Sequence, residues 1–168
     1  KQDAESLGLL QVFDISHNRA TLEKHKVDGE LKELLIHGKG ATGSYPAGRE
    51  EIPKLYREDG SPVIIGGSME TGSYLLVGGE NAAETFMSTA HGSGRTMSRT
   101  KAKHMYHGEQ LQKDMLKRGI YVKSVSFAGL AEEAGPAYKD IDDVIEATHL
   151  AGISKKVVRF IPIGNVKG

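Results

Sequence analysis

A single histidine, His91, stands between the residues MSTA and the small-residue stretch GSGR. A neutral imidazole can attack a phosphorus atom and hold a phosphoryl or nucleotidyl group through a phosphorus–nitrogen bond. The Gly-Ser-Gly stretch that follows leaves backbone N–H groups free to stabilise charged phosphate oxygens. The same local sequence also suits a histidine that is hydrogen-bonded inside a turn. His91 is therefore a candidate nucleophile, with a structural role as the alternative.

Three loops rich in small residues follow predicted strands, and their sequences are HGKGATGS, GGSMETGS and HGSGR. Glycine lets a backbone approach a ligand closely and direct successive N–H groups at an anion. Hydroxyl and cationic side chains in or beside these loops are Ser68, Ser73, Ser93, Lys39, Arg95 and Arg99. None of the loops matches a Walker A or dinucleotide-binding motif. They indicate a phosphate or nucleotide site that does not belong to a standard nucleotide fold, although such loops often only turn the chain.

His17 is the second histidine whose neighbouring residues suggest a function. It lies in the sequence FDISHN, next to Asn18. Imidazole is a common ligand of transition metals, and a strand end can hold such a ligand rigidly. His17 is therefore a candidate metal ligand. His104 and His107 have the i, i+3 spacing that can hold a metal, but no third ligand stands at a matching offset. They are interpreted as surface or helix-packing residues.

Basic residues recur after His91 at positions Arg95, Arg99, Lys101 and Lys103. Such a run is most often the solvated face of a helix. Beside a phosphate-binding loop it could instead follow a nucleic-acid backbone. It lacks the interleaved aromatic residues of a platform on which single-stranded bases stack.

The hydrophobic pattern predicts a mixture of helices and strands in one folded unit. Strands are predicted over residues 8–16, 61–68, 73–79, 84–90, 121–126 and 155–168, with another that begins near residue 32. Helices are predicted over residues 17–26, 96–118 and 141–153. Ser16 would cap the first, and in the second Gly108 is a candidate interruption and Gly119 the stop signal.

The composition is that of an ordinary soluble domain of 168 residues, with 38% hydrophobic and 26% charged residues. The 22 basic and 22 acidic residues cancel, so any contact with nucleic acid must come from a local patch. The absence of cysteine excludes disulfides and thiolate chemistry and suits a reducing cytoplasm. No apolar run approaches the ~20 residues of a membrane span. Because the chain begins with Lys1, it is expected to be processed or to be a fragment.

Five stretches occur together and in a fixed order: FDISHN, HGKGAT with PAG, GGSM with TGSYLLVG, FMSTAHGSGRTMSR, and GISKKVVRFIPIGNVKG. Together they resemble the RtcB family of RNA-splicing ligases, and the resemblance covers nearly the whole chain. It implies an α+β fold with mixed and antiparallel sheets and flanking helices. Residues 1–168 would form the C-terminal portion of a larger single catalytic domain.

The resemblance also implies an activity, which is RNA joining with GTP and Mn²⁺. A 2′,3′-cyclic phosphate is opened to a 3′-phosphate, a histidine is guanylylated by GTP, and GMP passes to the 3′-phosphate. A 5′-hydroxyl of the second RNA end then displaces GMP. The implied partners are these RNA ends, the missing N-terminal portion of the ligase and an archease-type activator. The expected location is the cytoplasm, without a membrane.

By the same resemblance, His91 would be the guanylylated nucleophile and His17 a manganese ligand. The nucleotide would be bound by Asn18, Gly66, Gly67, Ser68, Met69, Ser73, Gly92, Ser93, Gly94, Tyr138 and Lys167. Within this set Lys167 would contact the guanine and Tyr138 would pack in the same pocket. Lys39, Arg95 and Arg99 would compensate the remaining phosphate charge or hold RNA phosphates.

The sequence departs from the family pattern in several places. It has Gly38 and Gly43 where arginines are typical and Glu70 where glycine is usual, and the family's cysteine ligand and further metal ligands belong to the N-terminal portion. Two alternatives to a ligase stay open for the isolated chain. One is a fragment that binds guanylate or phosphate without turnover, and the other is a metal-dependent phosphohydrolase that uses His17 and His91.

Overall fold

The computed structural model describes residues 3–167 and confirms the predicted α+β fold. The strands of this part of the chain are β1 (Asn18–Val27), β2 (Glu30–Lys39), β3 (Ala41–Gly43), β4 (Pro62–Gly66), β5 (Ser73–Gly78), β6 (Ser88–Ala90), β7 (Tyr121–Ser124), β8 (Ser154–Phe160) and β9 (Gly164–Lys167). The α-helices are α1 (Arg99–Met105), α2 (Gly108–Lys117), α3 (Phe127–Glu132) and α4 (Ile141–Leu150), and short 3-10 turns cover Lys54–Tyr56, Ala82–Thr85 and Gly135–Ala137. Lys1 and Gly168, which belong to the sequence predictions at the two ends, lie outside the described residues.

Strands β1 and β2 form a long antiparallel hairpin, so the helix predicted over residues 17–26 is wrong. Asp28 and Gly29 both have positive φ, as the tight two-residue turn of a hairpin requires. Alternate residues of β1 face inward, among them Arg19, Glu23 and His25. This period of two, together with the Asp-Gly turn, outweighs the capping signal at Ser16.

A three-stranded antiparallel sheet with the order β4-β5-β8 carries the first hydrophobic core. Val63, Ile65 and Leu76 of this sheet are fully buried against Ile141 and Ile145 of α4. Asp140 begins α4, because its side chain accepts a hydrogen bond from the N–H of Asp142. The sheet holds the loop between β4 and β5 in place, which is the second of the glycine-rich loops.

A second core lies where helices α2 and α3 meet β7. Its buried residues are Met69, Met115, Ile120, Val122 and Leu130. Strand β7 pairs in parallel with β9, which places Ser124 opposite Lys167. The strand predicted over residues 155–168 is therefore two strands, and the second belongs to a different sheet from the first.

The helix predicted over residues 96–118 is divided into α1 and α2. Tyr106 and His107 between them have extended backbones. A Cβ at Gly108 would lie 2.0 Å from the carbonyl oxygen of Phe127, so only glycine allows α2 to approach α3 this closely. The interruption predicted at Gly108 thus has a packing cause.

Two predicted strands differ from the structure. The strand predicted over residues 8–16 is wrong, because these residues form no strand and pair with no strand of the described chain, although Tyr56 donates a hydrogen bond to the carbonyl of Val12. The strand predicted over residues 84–90 is limited to β6, because Phe86 and Met87 both have φ of 52°. That left-handed backbone cannot continue a strand.

None of the helices within residues 3–167 has the combination of length and apolar character that crossing a membrane requires.

Candidate functional site

His17 and His91 lie side by side, although they are far apart in sequence. His17 immediately precedes β1, and His91 immediately follows β6. The short pair β3–β6 places Ala41 opposite Ala90, which brings the open end of the hairpin next to His91. The two imidazole rings are nearly parallel, with 5.2 Å between their centroids and 9° between their planes. Both side chains are exposed, so a ligand can reach them.

Gly40 provides the room for His91. Its N–H donates to the carbonyl of His17 over 3.0 Å, and it has a positive φ of 69°. A Cβ at this position would lie 3.4 Å from Nε2 of His91. Glycine therefore suits the left-handed backbone at this position and places no side chain against Nε2 of His91.

The second and third glycine-rich loops are joined by backbone hydrogen bonds beside His91. Gly66 donates to the carbonyl of His91 over 3.1 Å, and Ser93 donates to the carbonyl of Gly66 over 2.8 Å. Ser93 is 4% exposed, and its hydroxyl oxygen is buried without a hydrogen-bond partner among the described residues. A buried hydroxyl that lacks a partner is costly in a folded protein, so this one is available to a ligand that enters the loop. Gly94 has a φ of 74°, and a Cβ at this position would have no other atom within 4 Å.

The remaining residues of the second loop that were predicted to bind the nucleotide differ in how accessible their side chains are. The Ser68 hydroxyl is within hydrogen-bond distance of Thr71 Oγ1 and accepts from the N–H of Glu70, so it is engaged within its own turn. The side chain of Met69 lies in the second core, which leaves only its backbone for a ligand. Ser73 is half-buried in β5. The N–H of Gly67 closes the loop through a 2.9 Å bond to the carbonyl of Gly72.

Tyr138 and Lys167, which were predicted to meet at the guanine, face a common acidic residue, Glu133. The Tyr138 hydroxyl donates to its carboxylate, and Lys167 Nζ lies 3.7 Å from Oε2 of the same group. Burial raises the pKa of Tyr138, and the hydrogen bond to Glu133 adds to the rise. Tyr138 therefore stays protonated at neutral pH and acts as a donor.

Arg95 is more deeply embedded than the prediction of a phosphate contact requires. Its guanidinium donates to the carbonyls of Met97 and Glu132 and to the hydroxyl of Tyr138. It also stacks over the Tyr138 ring, with 4.8 Å from its carbon to the ring centroid. In this structure Arg95 supports the Tyr138 side of the site.

The other polar side chains that were predicted to contact the nucleotide or RNA phosphates are exposed. Arg99 is 68% exposed in its side chain, and Lys39 and Asn18 are exposed as neighbours in the hairpin register. Lys39 and Asn18 lie at the end of the hairpin that contacts His91, whereas Arg99 begins α1 on the side of Glu133. Lys39 thus lies beside the histidine pair, and Arg99 lies beside Glu133.

Comparison with known proteins decides the family. A family model described as tRNA-splicing ligase RtcB matches residues 1–168. The chain belongs to the RtcB family. Curated relatives named tRNA-splicing ligase RtcB are 48% identical to it in Pyrococcus abyssi, 46% in Thermococcus kodakarensis and 50% in Archaeoglobus fulgidus. The resemblance of the sequence motifs to this family is thereby confirmed.

The chain spans only part of these RtcB relatives. All of the chain matches 18% of the Pyrococcus abyssi protein and 35% of the Thermococcus kodakarensis protein. For the Archaeoglobus fulgidus protein, 98% of the chain matches 34% of the relative. Most of the length of these RtcB proteins thus has no counterpart in the sequence.

The donor set for a metal is partial in this portion of the RtcB fold. His17 is exposed and offers an imidazole, which suits Mn²⁺ or another transition metal. Within residues 3–167 no group of three or more histidine, aspartate or glutamate side chains could hold a metal ion. His17 could therefore supply one ligand, and a metal site here would need further ligands that the described residues do not group around it.

A half-buried polar network that the sequence reasoning missed joins the hairpin to the rest of the site. Arg19 donates to Glu23 over 2.6 Å, to the Tyr45 hydroxyl over 2.8 Å and to Ser88 over 3.4 Å. Glu23 also pairs with His25, which is 6% exposed. Because Arg19 is two residues from His17 and Ser88 is three from His91, the 3.4 Å bond between them connects the segments that carry the two histidines.

Gly38 and Gly43, which stand where arginines are typical of the family, lie around the same network. Gly38 is buried against Arg19, whose Cγ would be 3.7 Å from a Cβ there. A Cβ at Gly43 would lie 2.8 Å from the ring of Tyr45. The space that larger side chains would take at these two positions is thus occupied by Arg19 and Tyr45.

The side chain of Glu70 connects the second loop to other segments of the chain. Its carboxylate accepts from the N–H of Gly135 over 2.7 Å and forms an ion pair with Arg118. Asn165 of β9 donates to the carbonyl of the adjacent Met69 over 3.1 Å. The second loop is therefore tied to the segment that leads to Tyr138 and to the strand that carries Lys167. No sequence signal marked these contacts.

We expect the stabilising effect of Glu23 to depend on pH. Desolvation by itself would raise the pKa of Glu23, but hydrogen bonds from His25, Thr21 and Arg19 and the charge of Arg19 outweigh it and lower the pKa below 4.5. A lowered carboxyl pKa stabilises the fold above the ordinary value, and this stability is lost as the pH falls below it. Glu23→Gln should lower the free energy of unfolding by about 1 kcal/mol at pH 7 and by less at pH 3.5.

Urea unfolding followed by circular dichroism at the two pH values measures this difference. The matched control is Glu30→Gln, because Glu30 lies in the same hairpin with a largely exposed side chain. A destabilisation by Glu23→Gln that does not change between pH 7 and pH 3.5 would contradict the prediction.

Proposed function

We propose that these residues form the guanylylation site of a GTP- and Mn²⁺-dependent RNA ligase. The ligase joins RNA ends that carry a 2′,3′-cyclic phosphate or 3′-phosphate to ends that carry a 5′-hydroxyl. The observation that carries the proposal is the position of His91, whose ring lies against His17 where the three glycine-rich loops meet. Membership of the RtcB family supports the same reaction class.

In the proposed reaction, an imidazole nitrogen of His91 forms a bond to the α-phosphorus of GTP while the bond to pyrophosphate breaks. GMP is then transferred from His91 to the RNA 3′-phosphate. The 5′-hydroxyl of the second RNA end attacks that phosphate and releases GMP. The cyclic phosphate is hydrolysed to a 3′-phosphate before these steps.

The chain's own residues can support the first step. Among the described residues, the N–H groups of Gly92 and Gly94 and the hydroxyl of Ser93 have no hydrogen-bond partner and are available to phosphate oxygens. The N–H of Ser93 is not, because it donates to the carbonyl of Gly66. Lys39 adds positive charge on the hairpin side of His91, and Arg99 adds it on the side of α1. Tyr138 and Lys167 form the end of the site assigned to the base.

His17 would hold Mn²⁺ together with ligands from the N-terminal portion of the ligase. When bound, the metal supplies charge neutralisation for the triphosphate and for the departing pyrophosphate. Because the described residues contain too few ligands, the isolated chain is expected to bind Mn²⁺ poorly.

The same shortage of ligands favours a second candidate function, in which the chain binds guanylate or phosphate without turnover. The two candidates differ in one observable, which is the formation of a covalent bond to GMP. Equilibrium binding of GTP is common to both.

The test is to incubate the chain with labelled GTP and Mn²⁺, alone and together with the N-terminal portion, and to measure the intact mass. We expect a GMP adduct that maps to the peptide containing His91 when both portions are present, and little adduct with the chain alone. Binding of GTP without any adduct in the presence of both portions would exclude the ligase and support the binding function.

A further inference from the structure

Glu133 is a meeting point for the polar side chains at the base end of the proposed nucleotide site. Its Oε1 lies 3.5 Å from a guanidinium nitrogen of Arg95 and 3.7 Å from Nε of Arg99. Its Oε2 accepts the hydroxyl of Tyr138 and lies 3.7 Å from Nζ of Lys167. Three of these four partners come from separate segments: α1, the residues after Gly135–Ala137, and β9. One carboxylate thus connects them.

The backbone that carries Glu133 is firmly packed. Glu133 follows α3 directly, and its N–H donates to the carbonyl of Leu130. Leu130 and Ala131 of the same helix are almost completely buried. The side chain of Glu133 is itself only 21% exposed. The position of its carboxylate is therefore set by a packed helix end.

Lys167 lacks such support of its own. It lies in a four-residue strand in which no residue is fully buried, and its long side chain has many rotamers in solution. The ion pair with Glu133 restricts where its ammonium group can lie. Tyr138 is restricted in the same way, because its hydroxyl is held between Arg95 and Glu133.

We propose that Glu133 is a positioning residue that selects guanine by holding the Lys167 ammonium and the Tyr138 hydroxyl in place. The inference rests on the proposed function, in which these two residues face the base. Guanine presents the acceptors O6 and N7 along one edge, whereas adenine has an amino group in place of O6. A fixed ammonium group therefore favours guanine, and an unrestrained lysine discriminates less.

The test uses Glu133→Gln in the full-length ligase, with Glu132→Gln as the matched control. Glu132 is adjacent and loses the same charge, but its carboxylate pairs with Arg99 and Lys103 and, among the described residues, with no other cation. We expect Glu133→Gln to raise the KM for GTP in adduct formation about tenfold, to leave kcat within about twofold, and to reduce the preference for GTP over ATP. Glu132→Gln should change none of these values appreciably.

A double variant separates positioning from general damage to the fold. If Glu133 acts partly through Lys167, Glu133→Gln combined with Lys167→Met should lose less discrimination between GTP and ATP than the sum of the two single losses. If Glu133→Gln fails to fold, Tyr138→Phe removes one of the same contacts from the other side and must itself raise the KM for GTP.

The outcomes are distinct. An unchanged KM and nucleotide preference in Glu133→Gln, or in Tyr138→Phe where Glu133→Gln does not fold, overturns the inference while the wild type still forms the adduct. Additive losses in the double variant overturn it as well. A wild-type protein that forms no adduct overturns the proposed function itself, and that result is visible before any variant is compared.

Discussion

Replacing His91 with alanine should eliminate the GMP adduct and lower the rate of RNA joining by about a thousandfold or more. The physical reason is that His91 is the proposed nucleophile, whereas the imidazole stacked beside it, His17, is proposed to hold the metal. The measurement is adduct formation by intact mass and joining of RNA ends by gel assay, both in the full-length protein with GTP and Mn²⁺. The fold should persist, since the His91 side chain is exposed.

Two further variants show whether the effect belongs to His91. His104→Ala removes an exposed histidine from α1 and should leave both assays unchanged. His17→Ala should weaken activity in a way that higher Mn²⁺ concentrations partly restore, whereas His91→Ala should not respond to Mn²⁺. A GMP adduct that survives in His91→Ala at the wild-type level would refute the assignment of the nucleophile.

The second large effect is expected at Gly67. A Cβ there would lie 2.4 Å from the carbonyl oxygen of Gly72, 2.6 Å from the hydroxyl of Thr71 and 3.2 Å from Ile141. The loop must open or the sheet must move to accommodate it, so Gly67→Ala should lower the free energy of unfolding by about 3 kcal/mol. The adduct yield should fall with it, because Gly67 N–H closes the loop next to Gly66 and His91.

Gly66→Ala is the control for this prediction, since the nearest atom to its Cβ is the His91 carbonyl oxygen at 4.0 Å. Its free energy of unfolding should stay within about 1 kcal/mol of the wild type. Urea unfolding followed by circular dichroism compares the two. Equal stabilities of Gly66→Ala and Gly67→Ala would show that the close approach at Gly67 is not required.

The local sequence was sufficient to find the loops and to single out His17 and His91, because glycine-rich turns and isolated histidines are visible as residue types. It did not show that the loops touch. The hydrogen bonds between Gly66 and the His91 region join segments more than twenty residues apart, and they depend on the sheet order β4-β5-β8 and on the pair β3–β6.

The error over residues 17–26 has a local cause. The alternation of inward and outward residues in β1 and the Asp28-Gly29 turn were both present in the sequence, and together they specify a hairpin. A single capping signal at Ser16 was a weaker indication than these two combined.

Glu133 illustrates a different limit. In the sequence AEEAG nothing distinguishes Glu133 from Glu132. They differ only because Glu132 is the last residue of α3 and Glu133 follows it, so that one carboxylate faces Lys103 and the other faces Tyr138 and Lys167. To predict this difference, one must know in which direction each carboxylate points at the end of α3.

Strand β9 has a consequence for the native-state hydrogen exchange of the protein. Among the residues that the structure describes, β9 pairs only with β7, over four residues, and none of its residues belongs to either hydrophobic core. Segments with so few buried contacts open at a lower free energy than the core. The amides of β9 should therefore exchange with solvent while the sheet β4-β5-β8 stays closed, and a nucleotide that engages Lys167 should slow that exchange in proportion to its occupancy.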